Sequence, residues 1–425
     1  MARMTALSEL AAQVPDAVNR LAGIARRTPV HLDERLSTAT GAQIWLKRED
    51  LQPVRSYKLR GAYNLMAQLS DDAKAAGVVC ASAGNHGQGV AYSAAALGMH
   101  ATVVVPHTTP RQKRQRIVDL GRGQVDLVLH GATYDEASDE AARMSANDGR
   151  VLVPAFNDPR TAAGQATVLV ESIEQLGFVP DIVVVPVGGG GLLAGVAAWL
   201  QSSHPEVRIV GVEPEGAPCI AAALSAGRPV TLKNIDTFVD GAAVRRAGDY
   251  TFEVIREANV ELVRVPEGQV CSEMLTMYQT DGIIAEPAGA LAAAALPSGG
   301  PGPRIQIPTG SRVLVLVSGG NNDVSRYAEV VERSLIHEGR KRYFLVDFPQ
   351  QPGALRMFLD SVLGPDDDIT YFEYVKRNNR ETGPALVGVE LGNPGDYRFL
   401  LERIGECGMK AEEVAYDSPY FQFLV

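Results

Sequence analysis

The sequence is poor in cysteine, with four in 425 residues. Cys80, Cys219, Cys271 and Cys407 lie far apart, and no two of them form a Cys-x-x-Cys pair. A disulfide framework and a structural zinc site both need grouped cysteines, so the sequence favours neither. A reducing compartment, the cytoplasm, is expected, with no targeting segment.

Positive charge and membrane-spanning apolar runs are also lacking. The chain has 40 Lys and Arg against 50 Asp and Glu, a net charge of -10, which argues against a nucleic-acid-binding surface. The uncharged stretch 182–200 is long enough to cross a bilayer, but it contains Pro186 and four glycines, Gly188–Gly191. A strand, a glycine loop and a helix explain it better, so neither nucleic acid nor membrane is expected as a partner.

The composition is that of a packed protein, with 46% apolar and 21% charged residues. A chain of this length is expected to have more than one domain. From about residue 40 to 330, short β-branched runs alternate with longer helical segments, which predicts an α/β fold with at least one doubly wound parallel sheet. The predicted strands are Gln43–Leu46, Gly77–Cys80, Thr102–Pro106, Val125–Leu129, Ile182–Pro186, Arg208–Val212, Glu261–Val265 and Val313–Val317.

The end of the chain has a different composition. The sequence contains 2 Trp, 13 Tyr and 11 Phe, and half of these aromatic residues follow Lys341. The order of patterns there is β-α-β-β-α, with a last strand at Lys410–Ala415, as in ferredoxin-like domains. We therefore predict a domain at 1–338 and a separate one at 342–425.

Four consecutive glycines, Gly188–Gly191, follow the apolar strand Ile182–Pro186. A loop of this kind exposes successive backbone N–H groups, and the helix beginning near Leu192 adds its positive end, so the segment suits a phosphate group. The alternative is a tight strand-to-helix turn with flexible glycines.

Two further segments contain polar residues at predicted helix starts. Lys58, in Ser-Tyr-Lys-Leu-Arg-Gly-Ala, opens a helix with apolar neighbours, a position that suits Schiff-base chemistry, although a single lysine is usually a surface charge. In residues 81–89, Ser82, Gly84 and the following amides form a candidate carboxylate cradle, and Asn85 can bind a planar ligand. His86 is a candidate base, but a histidine at a helix start is more often structural.

Ser318 and Glu286 are weaker candidates. Ser318 precedes Gly-Gly-Asn after the strand Val313–Val317, where a serine is usually a turn or cap residue. Glu286 precedes Pro287 at a helix start, where a carboxylate complements the helix dipole.

Taken together and in this order, the segments resemble the pyridoxal-phosphate enzymes of the tryptophan-synthase β-chain type (fold type II). The resemblance rests on Lys58 in S-Y-K-L-R-G-A, Asn85 in A-S-A-G-N-H-G-Q-G, Gly188–Gly191, and Ser318 in S-G-G-N. Within that group the chain resembles the biosynthetic threonine dehydratases (threonine ammonia-lyases) of the short form, whose tail is a single ACT-like regulatory domain. The resemblance implies two parallel-sheet subdomains in the catalytic part.

The resemblance also implies roles for these residues. Lys58 would carry pyridoxal 5'-phosphate and act as the base, Asn85 would bind the ring hydroxyl, and Ser318 would face the pyridine nitrogen. The phosphate would be held by the backbone of Gly188, Gly189, Gly190, Gly191 and Leu192. The substrate would be bound by Ser82, Ala83, Gly84, Asn85, His86 and Glu286.

The implied reaction converts L-threonine to 2-oxobutanoate and ammonia, the committing step towards isoleucine. The implied effector is isoleucine, with valine as a second candidate. In ACT-like domains it binds near the turn after the first strand, here Phe348–Gly353, or at a domain interface. The implied assembly is a dimer or tetramer. A catabolic serine/threonine dehydratase, another β-elimination enzyme and a non-catalytic binding protein on the same fold remain alternatives.

Two departures from related sequences matter. Serine racemases usually have a serine where this chain has Ala83, which argues against racemisation. Some relatives bind a divalent cation through a glutamate and an acidic residue six positions later, whereas this chain has Glu213 followed by Cys219, so no metal site is predicted.

Overall fold

The computed structural model describes residues 5–374, 380–415, 418, 421 and 424. The chain forms two compact units, one containing residues 1–267 and 276–323, the other residues 268–275 and 324–425. The domain limits expected from the sequence, 1–338 and 342–425, stay a prediction.

The first unit contains two parallel sheets. Six strands form one sheet in the order β1-β2-β10-β7-β8-β9, in which only the β1–β2 pair is antiparallel. The other sheet has the order β5-β4-β3-β6 and is entirely parallel. The strands are β1 Val30–Leu32, β2 Gln43–Arg48, β3 Val78–Ala81, β4 Ala101–Val105, β5 Val125–Leu129, β6 Val151–Leu152, β7 Ile182–Pro186, β8 Arg208–Pro214, β9 Glu261–Val265 and β10 Arg312–Val317.

Helices connect these strands, as parallel pairing requires. The short 3-10 helix Glu49–Leu51 follows β2. The α-helices are α1 Ala6–Leu21, α2 Glu34–Thr40, α3 Lys58–Ala67, α4 Asp71–Ala76, α5 Asn85–Leu97, α6 Arg111–Gly121, α7 Tyr134–Asp148, α8 Pro159–Leu176, α9 Gly191–Ser203, α10 Cys219–Ala226, α11 Asp249–Ala258, α12 Glu267–Gln279, whose residues 268–275 are counted in the second unit, and α13 Pro287–Ala294.

The predicted α/β class and all eight predicted strands are confirmed, each within two residues at either end. The uncharged stretch 182–200 is a fully buried strand, a glycine loop and the helix α9. Among the described residues, no helix has the length and apolar character needed to cross a bilayer. The strands β1 and β6 were not predicted, because segments of three and two residues carry no readable pattern.

The second unit contains the predicted β-α-β-β-α-β order. Its antiparallel sheet has the order β12-β13-β11-β14, which is the ferredoxin-like arrangement, so that prediction is confirmed. Phe344 and Phe348 on the sheet pack with Phe358 and Leu400 on the helices in one hydrophobic core. The elements are a 3-10 helix Val324–Arg326, α14 Tyr327–His337, β11 Lys341–Pro349, α15 Ala354–Val362, β12 Asp368–Tyr374, β13 Thr382–Glu390, a 3-10 helix Pro394–Asp396, α16 Tyr397–Glu406 and β14 Lys410–Glu413.

Candidate active site

The predicted site segments lie in the first unit, beyond the carboxyl ends of its parallel strands. Residues 82–86 follow β3, residues 188–192 follow β7, and Ser318 follows β10. Open α/β sheets bind ligands beyond these carboxyl ends of their strands. Lys58 lies at the start of α3, the helix that follows β2 and its 3-10 helix.

Lys58 is the first residue of α3 and is half-buried. Its Nζ lies 3.5 Å from the carbonyl oxygen of Ala155 and 5.2 Å from the ring centroid of Tyr57. The next residue, Phe156, packs on the glycine loop, because a Cβ atom at Gly189 would lie 2.5 Å from its ring. The segment 155–156 therefore touches both the lysine amine and the glycine loop.

Buried charges fix the first turn of α3. Arg60, two residues after Lys58, donates to both oxygens of Glu49 at 2.8 and 2.9 Å and to Glu171 at 3.0 Å. Arg60 and Glu49 are each only 1% exposed, and Lys47 in β2 also binds Glu171. Burial alone would raise the pKa of Glu49, but the Arg60 guanidinium outweighs it and holds that pKa below its usual value. The helix start that bears Lys58 is thus held by a closed set of opposite charges.

The glycine loop combines tight packing with unused donors. Gly190 has φ +93°, and a Cβ atom at Gly191 would lie 2.8 Å from that of Phe156, so these positions require glycine. Within the described part of the chain, none of the N–H groups of residues 188–192 donates to a protein acceptor. Buried amides need a partner, so the loop fits an anionic ligand and not merely a flexible turn.

Asn85 lies in a hydrogen-bonded chain of three side chains. Its Nδ2 donates to Oε1 of Glu286 at 2.5 Å, and its Oδ1 accepts from Nδ2 of Asn321 at 2.6 Å. Burial, together with the charge of Asp240, raises the pKa of Glu286 to about 7. No role for Asn321 was predicted from the sequence. Its position in the S-G-G-N-N segment, beside Ser318, is the feature from which a role in the site could have been predicted.

The remaining predicted residues follow carboxyl ends of parallel strands in both sheets, Ser318 in the six-stranded sheet and Ser82 and Ala83 in the four-stranded one. Ser318 is 4% exposed, and its hydroxyl donates to the carbonyl of Ala288 at 3.0 Å. Ser82 accepts from the Gly84 amide at 3.2 Å, while the half-buried Ala83 packs on the core of the four-stranded sheet. Within the residues described, the amides of Ala83 and of residues 85–87 have no protein acceptor, which suits a ligand carboxylate.

Comparisons with known proteins agree with this geometry. Residues 21–319 match the family described as "Pyridoxal-phosphate dependent enzyme", and residues 332–424 match the "C-terminal regulatory domain of Threonine dehydratase". The chain is 55% identical over 416 residues to the biosynthetic L-threonine dehydratase IlvA of Mycobacterium tuberculosis, covering 97% of this chain and 96% of the relative. It is 49% identical to that of Corynebacterium glutamicum, covering 97% and 95%. The chain belongs to the biosynthetic threonine dehydratases.

A solved structure supports the same family. The processed form of threonine deaminase isoform 2 from Solanum lycopersicum aligns with a TM-score of 0.71 and 37% identity, covering 77% of this chain and 94% of that one. The predicted family and fold type II are therefore confirmed. The catabolic alternative receives no support, because these threonine dehydratase relatives are biosynthetic and the regulatory domain is present.

The cofactor of this threonine dehydratase family is pyridoxal 5'-phosphate, as predicted. The residues present fit that group: five unused amides at 188–192 suit its phosphate, and Lys58 lies beside them. Asn85 and Ser318 offer neutral polar groups for its ring. The roles of the individual residues stay proposals.

Glu213 is engaged by backbone donors. It is fully buried, and its two oxygens accept from the amides of Ile220 and Ala221 at 2.7 and 2.9 Å. Burial nevertheless raises its pKa to about 7. The thiol of Cys219, the first residue of α10, donates to the carbonyl of Gly188 at 3.3 Å. This bond links the start of α10 to the glycine loop.

His86 is a buried, neutral histidine. It is 4% exposed, its Nε2 lies 2.8 Å from the carbonyl oxygen of Val153, and burial lowers its pKa to about 4. The structure therefore favours the structural interpretation over the catalytic base.

We expect His86 to make folding sensitive to acid. As pH falls below 6.5, the unfolded chain gains a proton on this residue and the folded one does not, so stability is lost down to the folded pKa of about 4. His86→Gln should therefore lose about 2 kcal/mol less unfolding free energy than the parent chain between about pH 7 and pH 5. Urea unfolding followed by the fluorescence of Trp45 and Trp199 measures this. Glu213 and Glu286 are present in both proteins, so their contributions to the pH dependence cancel in the comparison. If the unfolding free energies of the two proteins depended on pH in the same way, His86 would not be a buried, neutral histidine.

Proposed function

We propose that the protein dehydrates and deaminates L-threonine to 2-oxobutanoate and ammonia, as the committing step towards isoleucine. The observation that carries the proposal is Lys58 beside the donor-rich glycine loop, in a chain that matches biosynthetic threonine dehydratases over nearly its full length. The C-terminal domain is regulatory and gives the step its feedback control.

Binding of the amino acid falls to residues 82–87. The free amides of residues 83 and 85–87 bind the substrate carboxylate at the start of α5. That contact fixes one substituent of Cα and limits how the others can point. Ala83 offers no hydroxyl on its side of the site, which supports elimination over racemisation.

Pyridoxal phosphate, when bound, supplies an electron sink for the bonds at Cα. Lys58 holds the cofactor through its side-chain amine and, once replaced by the substrate amine, accepts the Cα proton at Nζ. Lys58 is positioned by the buried charges that fix the first turn of α3. Ser318 is neutral and supplies no negative charge to keep a proton on the ring nitrogen.

The reaction is tested by an oxo-acid assay with purified, cofactor-loaded protein. L-Threonine should give 2-oxobutanoate and ammonia in equal amounts, and L-serine should be tested beside it, since one methyl group changes transition-state binding by only about 1–3 kcal/mol. Each assay is repeated with isoleucine and with valine. Absence of 2-oxobutanoate when L-threonine is the substrate would refute the proposal.

The effector is expected at the turn after β11. Gly353 has φ +89° and caps α15, so a side chain there strains the turn. Gly353→Val in the full chain should weaken isoleucine inhibition by about tenfold or more, within the usual range of allosteric coupling, while threonine turnover stays within about threefold. Inhibition is measured as a titration with isoleucine.

The control for this prediction is another glycine of the same domain. Gly405, in α16, has no positive φ, and a Cβ atom added there would meet nothing within 4 Å, so Gly405→Ala should leave the titration unchanged. Unchanged inhibition in Gly353→Val would place the effector elsewhere.

A homodimer or homotetramer and a cytoplasmic location complete the proposal. Light scattering tests the first, and the lack of any disulfide among the four cysteines supports the second.

A further inference from the structure

The side-chain amide of Asn85 can face a ligand with its N–H or with its oxygen. The choice matters, because an N–H requires an accepting oxygen on the ligand and a carbonyl requires a donating one. The neighbours of Asn85 decide between the two.

The first constraint comes from Asn321. Its Nδ2 donates to the backbone carbonyl of Val54 at 2.8 Å, an oxygen that can only accept. The amino group of Asn321 is therefore turned toward Val54, and its second N–H donates to Oδ1 of Asn85 at 2.6 Å. The oxygen of Asn85 is thus turned toward Asn321, and its amino group away from it, whatever the protonation state of nearby acids.

The second constraint comes from Glu286, which is 4% exposed. One of its oxygens accepts from Nδ2 of Asn85 at 2.5 Å. Both ends of the chain of hydrogen bonds impose the same orientation on Asn85. One N–H of its amide is left for a ligand.

We propose that Asn321 is a positioning residue that, with Glu286, presents Asn85 to the cofactor as a hydrogen-bond donor only. The ring oxygen of pyridoxal phosphate is then bound in its unprotonated, accepting form. The inference rests on the proposed function in one respect, that the ring oxygen faces Asn85. Asn321 acts through Asn85 and does not itself touch the substrate.

The test compares Asn321→Ala and Asn321→Asp with Asn322→Ala. Asn322 is the adjacent asparagine, and its Nδ2 donates to the carbonyl of Ala285 at 3.3 Å, so it controls for the loss of a nearby amide. Alanine at 321 removes the donor to Asn85. Aspartate at 321 places a second acceptor against the Asn85 oxygen and favours the reversed amide.

Two readouts are taken on the full chain without any amino-acid substrate. Titration of the apoenzyme gives the dissociation constant of pyridoxal phosphate, expected to rise about tenfold in Asn321→Ala and about 100-fold in Asn321→Asp. The absorption spectrum of the loaded protein should shift, in both variants, from the form with an ionised ring oxygen to the protonated form. Asn322→Ala should match the parent chain in both measurements.

Unchanged spectra and unchanged cofactor affinity in Asn321→Ala would overturn the proposal, as would equal effects of the 321 and 322 alanine variants. If Asn321→Asp does not fold, the alanine variant alone decides. Because neither readout uses threonine, an error in the proposed substrate changes neither result.

Discussion

Lys58→Ala is expected to lower threonine turnover by at least about 10³-fold, because one side chain both holds the cofactor and accepts the Cα proton. Thermal unfolding should be nearly unchanged, since Lys58 is half-buried and its hydrogen bond to the carbonyl of Ala155 is long, at 3.5 Å. Oxo-acid production is the measurement. Added ethylamine should restore part of the proton transfer.

The matched control is Lys74→Ala, in the helix α4, none of whose residues is buried. That variant should have the turnover of the parent chain. Near-normal activity in Lys58→Ala would remove Lys58 from the mechanism, whatever the result with ethylamine.

Arg60→Met is expected to lower the free energy of unfolding by about 3–5 kcal/mol. The substitution keeps an unbranched side chain but leaves the buried Glu49 carboxylate without the guanidinium that binds both its oxygens. Urea unfolding of the apoenzyme, followed by tryptophan fluorescence, measures the loss. Turnover should also fall, because Arg60 lies in the turn that places Lys58.

Arg143 offers a control with the same geometry at the surface. It binds both oxygens of Glu140 at 2.7 and 2.6 Å, but its side chain is 59% exposed. Arg143→Met should cause little measurable change in stability. Equal losses in the two variants would show that burial of the Arg60 pair has no special importance. Adding Glu49→Gln to Arg60→Met should recover part of the lost stability, because it removes the unpaired charge.

Segments that are continuous in sequence could be predicted well. Gly188–Gly191 and Ser318 each follow an apolar strand, and such strands are recognised from their composition alone. Once the strands are parallel, their carboxyl ends share one edge, so these residues must approach one another. The regulatory domain was similarly visible from its aromatic content and its order of patterns.

Contacts that depend on distant pairing could not be predicted. Arg60 and Glu171 are 111 positions apart, and nothing in either local sequence indicates the partner. The same holds for Asn321 and Asn85, which are separated by 236 positions. For His86 the sequence left open a catalytic base and a structural residue. Its burial against Val153 favours the structural role, and burial of this kind cannot be read from the local sequence.

The most direct test is to find the residue that carries the cofactor. Borohydride fixes a lysine-bound pyridoxal phosphate as a stable secondary amine, and peptide mass spectrometry then locates it. We predict a single modified lysine, Lys58, and we predict that this modification is lost when threonine is present before reduction. A modification at another lysine, for example the buried Lys47 of β2, or none at all in a protein that turns over threonine, would contradict this prediction.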